Sequence, residues 1–327
     1  MSYTNEHIDL DNKYLSKLEN EYFEPVFIMG AHRSGTTILY KLLSKTDCFN
    51  IVTAYHIIRY NQILYNHINN FEKQSKEDIN EYLKNKKQSF RKVDRLDINS
   101  DFPEEYGFVL SKKKNHSNKL TPETLNTFMT LCKKIQFILK NNKPILLKNP
   151  FDFANYIYIK SVLPKSKFIF IHRNPFRTLN SQLKARRTFL QQKSEYMSLL
   201  SPSYKKAFEN NIFIGYIRFI NSPYFQISTI KAIKNLTKAT NYFLKNIKSL
   251  NKNDYICTRY EDLCEKPDTK INEILKFLKI KEKKYVKYSD FIKPRKTPIL
   301  RELQQKEKYI IKQMKPYFSQ FKFDIFS

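Results

Sequence analysis

The segment Ile28-Met29-Gly30-Ala31-His32-Arg33-Ser34-Gly35-Thr36-Thr37 joins an apolar run to what reads as the start of a helix. Gly30 and Gly35 keep the spacing of the phosphate-binding G-x-x-x-x-G-K-[ST] loop. Thr36 stands where that pattern has its lysine, and a cation, Arg33, lies inside the turn instead. Backbone N–H groups around Ser34 and Gly35, with the Thr36 and Thr37 hydroxyls, would make an anion site at a helix N-terminus. With no lysine aimed at a γ-phosphate, the loop suits a nucleotide whose 5′ end is not a triphosphate. Arg33 is then available where charge builds on a leaving oxygen.

A second cluster follows an apolar strand-like run: Phe168-Ile169-Phe170-Ile171-His172-Arg173-Asn174-Pro175, continuing to Ser181. Arg173 falls at a strand's carboxyl end, the ligand side of an open α/β sheet. Pro175 fits the first turn of the next helix. An arginine and a serine eight residues apart across such a turn can hold one phosphate from two sides. The alternative is an Arg173 paired with a surface carboxylate and a solvated Ser181.

Together these segments resemble the 3′-phosphoadenosine 5′-phosphosulfate (PAPS)-dependent sulfotransferases. That family pairs a [K/R]-S-G-T-T loop with a 3′-phosphate motif in which Arg and Ser stand eight apart, matched here by Arg33–Thr37 and Arg173…Ser181. Thr258-Arg259-Tyr260-Glu261-Asp262 is similar to the family's Y-E-D segment, which implies that Tyr260 lies near the adenosine. Leu147-Lys148-Asn149-Pro150-Phe151 is similar to the K-D-P-F of tyrosylprotein sulfotransferases, which implies that Lys148 stabilises the transferred sulfuryl group. The resemblance extends from about Pro25 to Leu278. It implies in-line sulfuryl transfer from PAPS, as co-substrate, to a hydroxyl, with Arg33 and Lys148 neutralising developing charge.

The general base is less defined. Pro150 occupies the place of the histidine used by small-molecule sulfotransferases, and Val52-Thr53-Ala54 lacks the carboxylate of the tyrosylprotein branch. Arg91-Lys92-Val93-Asp94 and Pro103-Glu104-Glu105-Tyr106-Gly107-Phe108-Val109-Leu110 resemble the R-x-x-D and P-Q-E-D-E-F-A-L stretches of bacterial sulfotransferases, with Glu105 as the one retained acid. Glu105 is the expected base, with Glu104 and His56 as alternatives. An ordinary helix start, with Asp101 as N-cap and Pro103 in the first turn, explains the same residues without chemistry. His172 reads as a packed residue and His32 as a shaper of the loop. A basic cluster, Lys293, Arg295 and Lys296, precedes the last helix; the resemblance implies a basic loop closing over the adenosine 3′-phosphate, and a solvated charge run is the alternative.

These residues require a frame. Strand-like runs at Val26–Met29, Ile51–Thr53, Ile145–Leu147, Phe168–Ile171 and Tyr255–Thr258 alternate with helical patterns at Gly35–Ser44, Phe153–Val162, Pro175–Arg187 and Asp268–Leu278. That alternation predicts an α/β fold: three layers, P-loop-like, with a central parallel sheet. Helical insertions at 60–140 and 190–250 would shape an acceptor pocket. All 327 residues read as a single domain, with a core at about 25–280 and a C-terminal segment and helix at 284–327.

Composition narrows the classes further. Hydrophobic residues make up 41%, enough to fill a core, so global disorder is excluded. The 59 Lys+Arg against 31 Asp+Glu leave a net charge of +28, yet the lysines are scattered, so no specific nucleic-acid surface is expected. Cys48, Cys132, Cys257 and Cys264 lack metal-ligand or disulfide-framework spacing. No clustered carboxylates suggest a metal. The polar Met1–Lys17 start carries no signal-peptide core, and the apolar stretch at 212–220 is too short for a membrane span, so a cytoplasmic protein is expected. Two other functions compete: a nucleoside or small-molecule kinase, and a non-catalytic polyanion-binding protein. The acceptor's identity and the oligomeric state have no signature.

Overall fold

The computed structural model describes residues 9–91, 96–112, 116–281, 286–292 and 297–324. Among them run seven strands: β1 (Pro25–Met29), β2 (Asn50–Ile51), β3 (Phe90–Arg91), β4 (Leu96–Asp97), β5 (Ile145–Lys148), β6 (Lys167–His172) and β7 (Tyr255–Arg259). Five form one sheet in the order β2-β5-β1-β6-β7. Every pairing in it is parallel, with Phe27 beside Leu147 on one side and Phe168 on the other. β3 and β4 form a separate antiparallel pair.

A parallel sheet with helices on both faces must be apolar on both, and the strands are. Phe27, Met29, Leu147, Phe168 and Phe170 point into one buried cluster, where the Pro122–Leu139 and Tyr156–Val162 helices cover them. Val26, Ile28, Leu146, Ile169 and Ile171 alternate to the other face, against the Thr36–Ser44 and Pro267–Phe277 helices. Each such side chain stabilises the fold by roughly 1.5–3 kcal/mol relative to exposure. A third cluster joins Leu179 and Leu183 to Leu236, Ile310 and Met314 beneath the C-terminal Glu307–Phe321 helix.

All five expected strands occur. The expected Ile51–Thr53 strand is shifted back: after Ile51 the chain leaves the sheet, and Thr53 instead makes a lone antiparallel bridge to Pro103. The insertion between β2 and β5 holds helices at Ala54–Ile58, Ile63–Ile68, Glu72–Asn85, Gly107–Leu110 and Pro122–Leu139. The one between β6 and β7 holds Pro175–Gln191, Glu195–Leu200, Pro202–Glu209, Asn211–Ile220 and Ile227–Asn246. The two insertions meet where the Tyr196 hydroxyl donates to Glu104 Oε1 at 2.7 Å. All four cysteines are unpaired. Among the described residues no helix is long and apolar enough to cross a membrane.

Candidate active site

β1 ends at Met29, and the chain turns through Gly30–Gly35 into the Thr36–Ser44 helix. Two residues of the turn have left-handed backbone, Arg33 at φ 70° and Gly35 at φ 106°. At Gly35 the close approach matters as much as the dihedral: a Cβ there would lie 2.3 Å from Tyr260 Cδ2. The ring of Tyr260 therefore closes one side of the loop, and only glycine leaves room for it. Ser34 Oγ is buried there without a hydrogen-bond partner, a donor turned into the loop.

β6 delivers the second motif to the same end of the sheet. Asn174 caps the next helix, its side chain accepting from the Phe176 and Arg177 amides, with Pro175 in the first turn as expected. Arg173 is half-buried. Its Nη1 donates to the Arg33 carbonyl at 3.0 Å, and its guanidinium stacks on Tyr260 at 4.3 Å. Its Nε is buried and has no partner. Burial lowers the Arg173 pKa, opposed by Tyr260 and Glu261. The reading of Arg173 as a partner of a surface carboxylate is thereby replaced: its contacts are the loop and an aromatic face. Two helical turns on, Ser181 Oγ accepts from Arg33 Nε at 3.1 Å. The two anion motifs, separate in the sequence, are thus joined through Arg33.

β5 carries Lys148 to the loop mouth. Its ammonium is 1% exposed and sits 3.1 Å from Thr37 Oγ1 and 3.1 Å from Glu105 Oε1. Glu105 comes from the first insertion, more than forty residues earlier in the chain. The alternatives to Glu105 occupy other places. Glu104 is buried and takes the Tyr196 hydroxyl, while its other oxygen accepts from the Glu105 amide at 3.2 Å. His56 closes a capping box with Thr53, its Nδ1 accepting the Thr53 amide at 3.1 Å. Burial pushes its pKa down to about 3. The helix expected to begin at Asp101–Pro103 does not form there; Pro103 is tied to Thr53, and the helix starts at Gly107.

Lys148 and Glu105 depend on a polar knot that the motif comparison left out. Asp152 accepts from the Tyr106 hydroxyl at 2.7 Å, from Asn149 Nδ2 at 2.7 Å, from Asn155 Nδ2 at 2.8 Å and from the Leu120 amide at 3.1 Å. Tyr106 and Gly107 stand where the bacterial motif has acids, and the structure gives each a reason. Tyr106 reaches Asp152, and a Cβ at Gly107 would lie 2.7 Å from Asn149 Oδ1. A sequence signal existed: Asp152 directly follows the K-N-P-F segment.

His32 is half-buried with its ring edge-on to Phe151 at 4.5 Å, and its carbonyl accepts from Gln182. Burial lowers its pKa, while the Glu105 carboxylate works the other way. His172 is a packed residue: it is buried, stacks on Phe321 at 3.9 Å and pairs with the Tyr317 hydroxyl at 2.8 Å. Asp94, Lys293, Arg295 and Lys296 lie outside the described residues. The chain that follows the basic cluster is anchored beside Ser181, for Asn180 donates to the Pro298 carbonyl and accepts from the Leu300 amide. Among the described residues no group of three or more His, Cys, Asp or Glu side chains could hold a metal ion.

A glycine turn opening a helix at the carboxyl end of an all-parallel sheet, with arginine and lysine converging on it, defines an α/β enzyme built to handle a phosphate-like anion. The sulfotransferase family model matches residues 25–284, and the chain belongs to that family. Among solved structures it is similar to the sulfotransferase STF9 from Mycobacterium avium, with TM-score 0.55 and 11% identity over 97% of this chain and 81% of that one. A sulfotransferase from Alicyclobacillus acidocaldarius aligns with TM-score 0.47 and 12% identity over 91% and 96%. No curated protein matches in sequence. The likeness to STF9 shows a shared fold at very low identity. The family match displaces the kinase and the non-catalytic polyanion binder.

Proposed function

We propose that the chain transfers a sulfuryl group from PAPS to a hydroxyl acceptor, with Lys148 and Arg33 as electrostatic catalysts and Glu105 as the base. The observation that carries this reading is the convergence of Lys148, Thr37 and Glu105, at 3.1 Å each, on the mouth of the phosphate loop. The residues suit such a donor: Ser34 Oγ and Arg173 Nε are buried donors without partners, one in each anion motif. Buried polar groups are otherwise almost always paired. Ser34, Gly35, Thr36 and Thr37 would hold the 5′ end, Arg173 and Ser181 the 3′-phosphate, and Tyr260 the adenosine side.

The donor supplies an activated sulfuryl group, and the protein's own residues do the rest. Glu105 takes the hydroxyl proton as the acceptor oxygen attacks sulfur. Lys148 neutralises charge on the equatorial oxygens, and Arg33 with the helix N-terminus neutralises the departing phosphate oxygen. Thr37 and Glu105 hold the lysine in place beforehand, so little reorganisation is needed at the moment of transfer. The test uses labelled PAPS and a panel of hydroxyl acceptors. Glu105→Gln should lose about 10²–10⁴-fold in kcat while affinity for adenosine 3′,5′-bisphosphate survives. Retained turnover would remove Glu105 from the mechanism, and ATP competing as well as PAPS would remove the donor assignment.

A further inference from the structure

The Asn211–Ile220 helix fully buries one side chain, Ile214. Four large apolar or aromatic side chains of the helix are turned outward: Ile212 is 88% exposed, Tyr216 61%, Phe219 56% and Phe213 49%. The following turn adds Tyr224 at 89% and Phe225 at 45%, and Phe219 and Phe225 lean on each other with ring centroids 4.1 Å apart. A helix turned apolar-side-out lacks the partner that its composition requires. Its rim is basic. Between Ser201 and Thr240 six cations stand against Glu209 alone, and Lys205, Lys206, Lys231 and Lys234 are all exposed.

We propose that this face is a docking surface for an anionic lipid bilayer. A second copy of the chain would bring two cation-rich rims of a +28 molecule together, so self-association is opposed by charge. Binding hot spots for a folded partner sit in packed, walled pockets, whereas Ile212 and Tyr224 protrude with few neighbours. Protruding aromatic and aliphatic side chains flanked in the chain by exposed lysines match the headgroup boundary, where the rings sink and the ammonium groups stay with lipid phosphates. The face is also held rigidly to the candidate site. Arg218 donates to the Leu190 and Gln191 carbonyls, and Arg187 to the Asn221 carbonyl. Those anchors belong to the end of the helix that carries Ser181. A docked bilayer therefore meets the enzyme at a set attitude, which favours a hydroxyl acceptor carried at a membrane surface.

The test is sedimentation of the full chain with phosphatidylcholine vesicles with and without phosphatidylglycerol. Binding is expected to the anionic vesicles alone, fading as salt is raised. The Ile212→Ser, Phe213→Ser, Tyr216→Ser triple variant should bind at least about tenfold more weakly. Lys231→Glu with Lys234→Glu should weaken binding by about tenfold or more. Both should keep the wild-type circular dichroism and melting temperature. The chain has no tryptophan, so Phe219→Trp is a clean depth probe, whose emission should shift to the blue on vesicles. Triple-variant binding equal to wild type, or an unchanged emission from the Phe219→Trp variant, would overturn the proposal. So would a wild-type dimer that the triple variant converts to monomer, or binding of soluble acidic protein in preference to vesicles. None of these readouts contains a sulfuryl donor, so their failure is separate from a failure of the donor assignment.

Discussion

Arg173 does three things with one guanidinium: it holds the Arg33 carbonyl, stacks on Tyr260 and keeps a buried Nε without a protein partner. A planar fork can serve several directions at once, and a lysine cannot. Arg173→Lys should therefore behave nearly like Arg173→Ala. Calorimetry with adenosine 3′,5′-bisphosphate should show affinity falling about 10–100-fold for either, the value of a lost charge-assisted hydrogen bond. Lysine fully substituting would show that charge alone is used. At the same scale, Glu104 and Glu105 are neighbours with opposite situations. One is sealed against Tyr196, the other paired with Lys148. No property of the Glu104-Glu105 dipeptide itself distinguishes them, because both are carboxylates and the difference is which side of the chain faces the sheet.

The loop that opens the Thr36–Ser44 helix and the turn around Asp152 are the elements that set the site. Gly35→Ala should cost binding through two effects, left-handed backbone and collision with the Tyr260 ring. Adding Tyr260→Ala removes the collision with the ring, together with the face on which Arg173 stacks, and leaves the left-handed backbone. The pair should thus recover part of the lost melting temperature and little of the bisphosphate affinity; full recovery would mean that the dihedral is unimportant. Asp152 receives four donors and is buried. Asp152→Ala would leave the Tyr106 hydroxyl and the Leu120 amide without an acceptor, while Asn149 and Asn155 keep the Asn118 and Leu120 carbonyls, costing about 2–4 kcal/mol. Chemical denaturation measures it directly. Because Tyr106 adjoins Glu105 and Asn149 adjoins Lys148, kcat should fall along with stability. The strands and the first-turn Pro175 were legible because apolar runs and proline restrict the backbone locally. Of the Asp152 knot only the position beside the K-N-P-F segment was legible; its bond to Tyr106 was not, since that residue lies forty-six positions away.

The molecule as a whole holds two buried imidazoles in different places, His56 in the first insertion and His172 at the end of β6 against the C-terminal helix. Burial lowers both pKa values from 6.5 to about 3. In the unfolded chain each takes up a proton below 6.5, whereas the folded form stays neutral down to about 3. Unfolding therefore absorbs protons in that window, and the stability present above it is lost on acidification, by at most about 5 kcal/mol per histidine. Melting temperature should fall between about pH 7 and about pH 4. Replacing His172 and Tyr317 together by Phe should make that decline shallower; an unchanged slope would place the acid sensitivity elsewhere. At this scale part of the charge of +28 falls on exposed lysines in the segments that flank the apolar face at 212–225.

Local spacing determined the parallel α/β sheet, the phosphate loop and the Arg173…Ser181 turn, because each is written in a short run whose backbone geometry depends on its own residues. The tertiary structure decided that Arg33 bridges the two anion motifs, that Glu105 rather than Glu104 or His56 meets Lys148, and that the Asn211–Ile220 helix faces outward. Those outcomes depend on contacts between distant segments. A composition such as Asn-Ile-Phe-Ile-Gly-Tyr-Ile-Arg-Phe-Ile is equally suited to a core, so only packing shows which side of it was left uncovered.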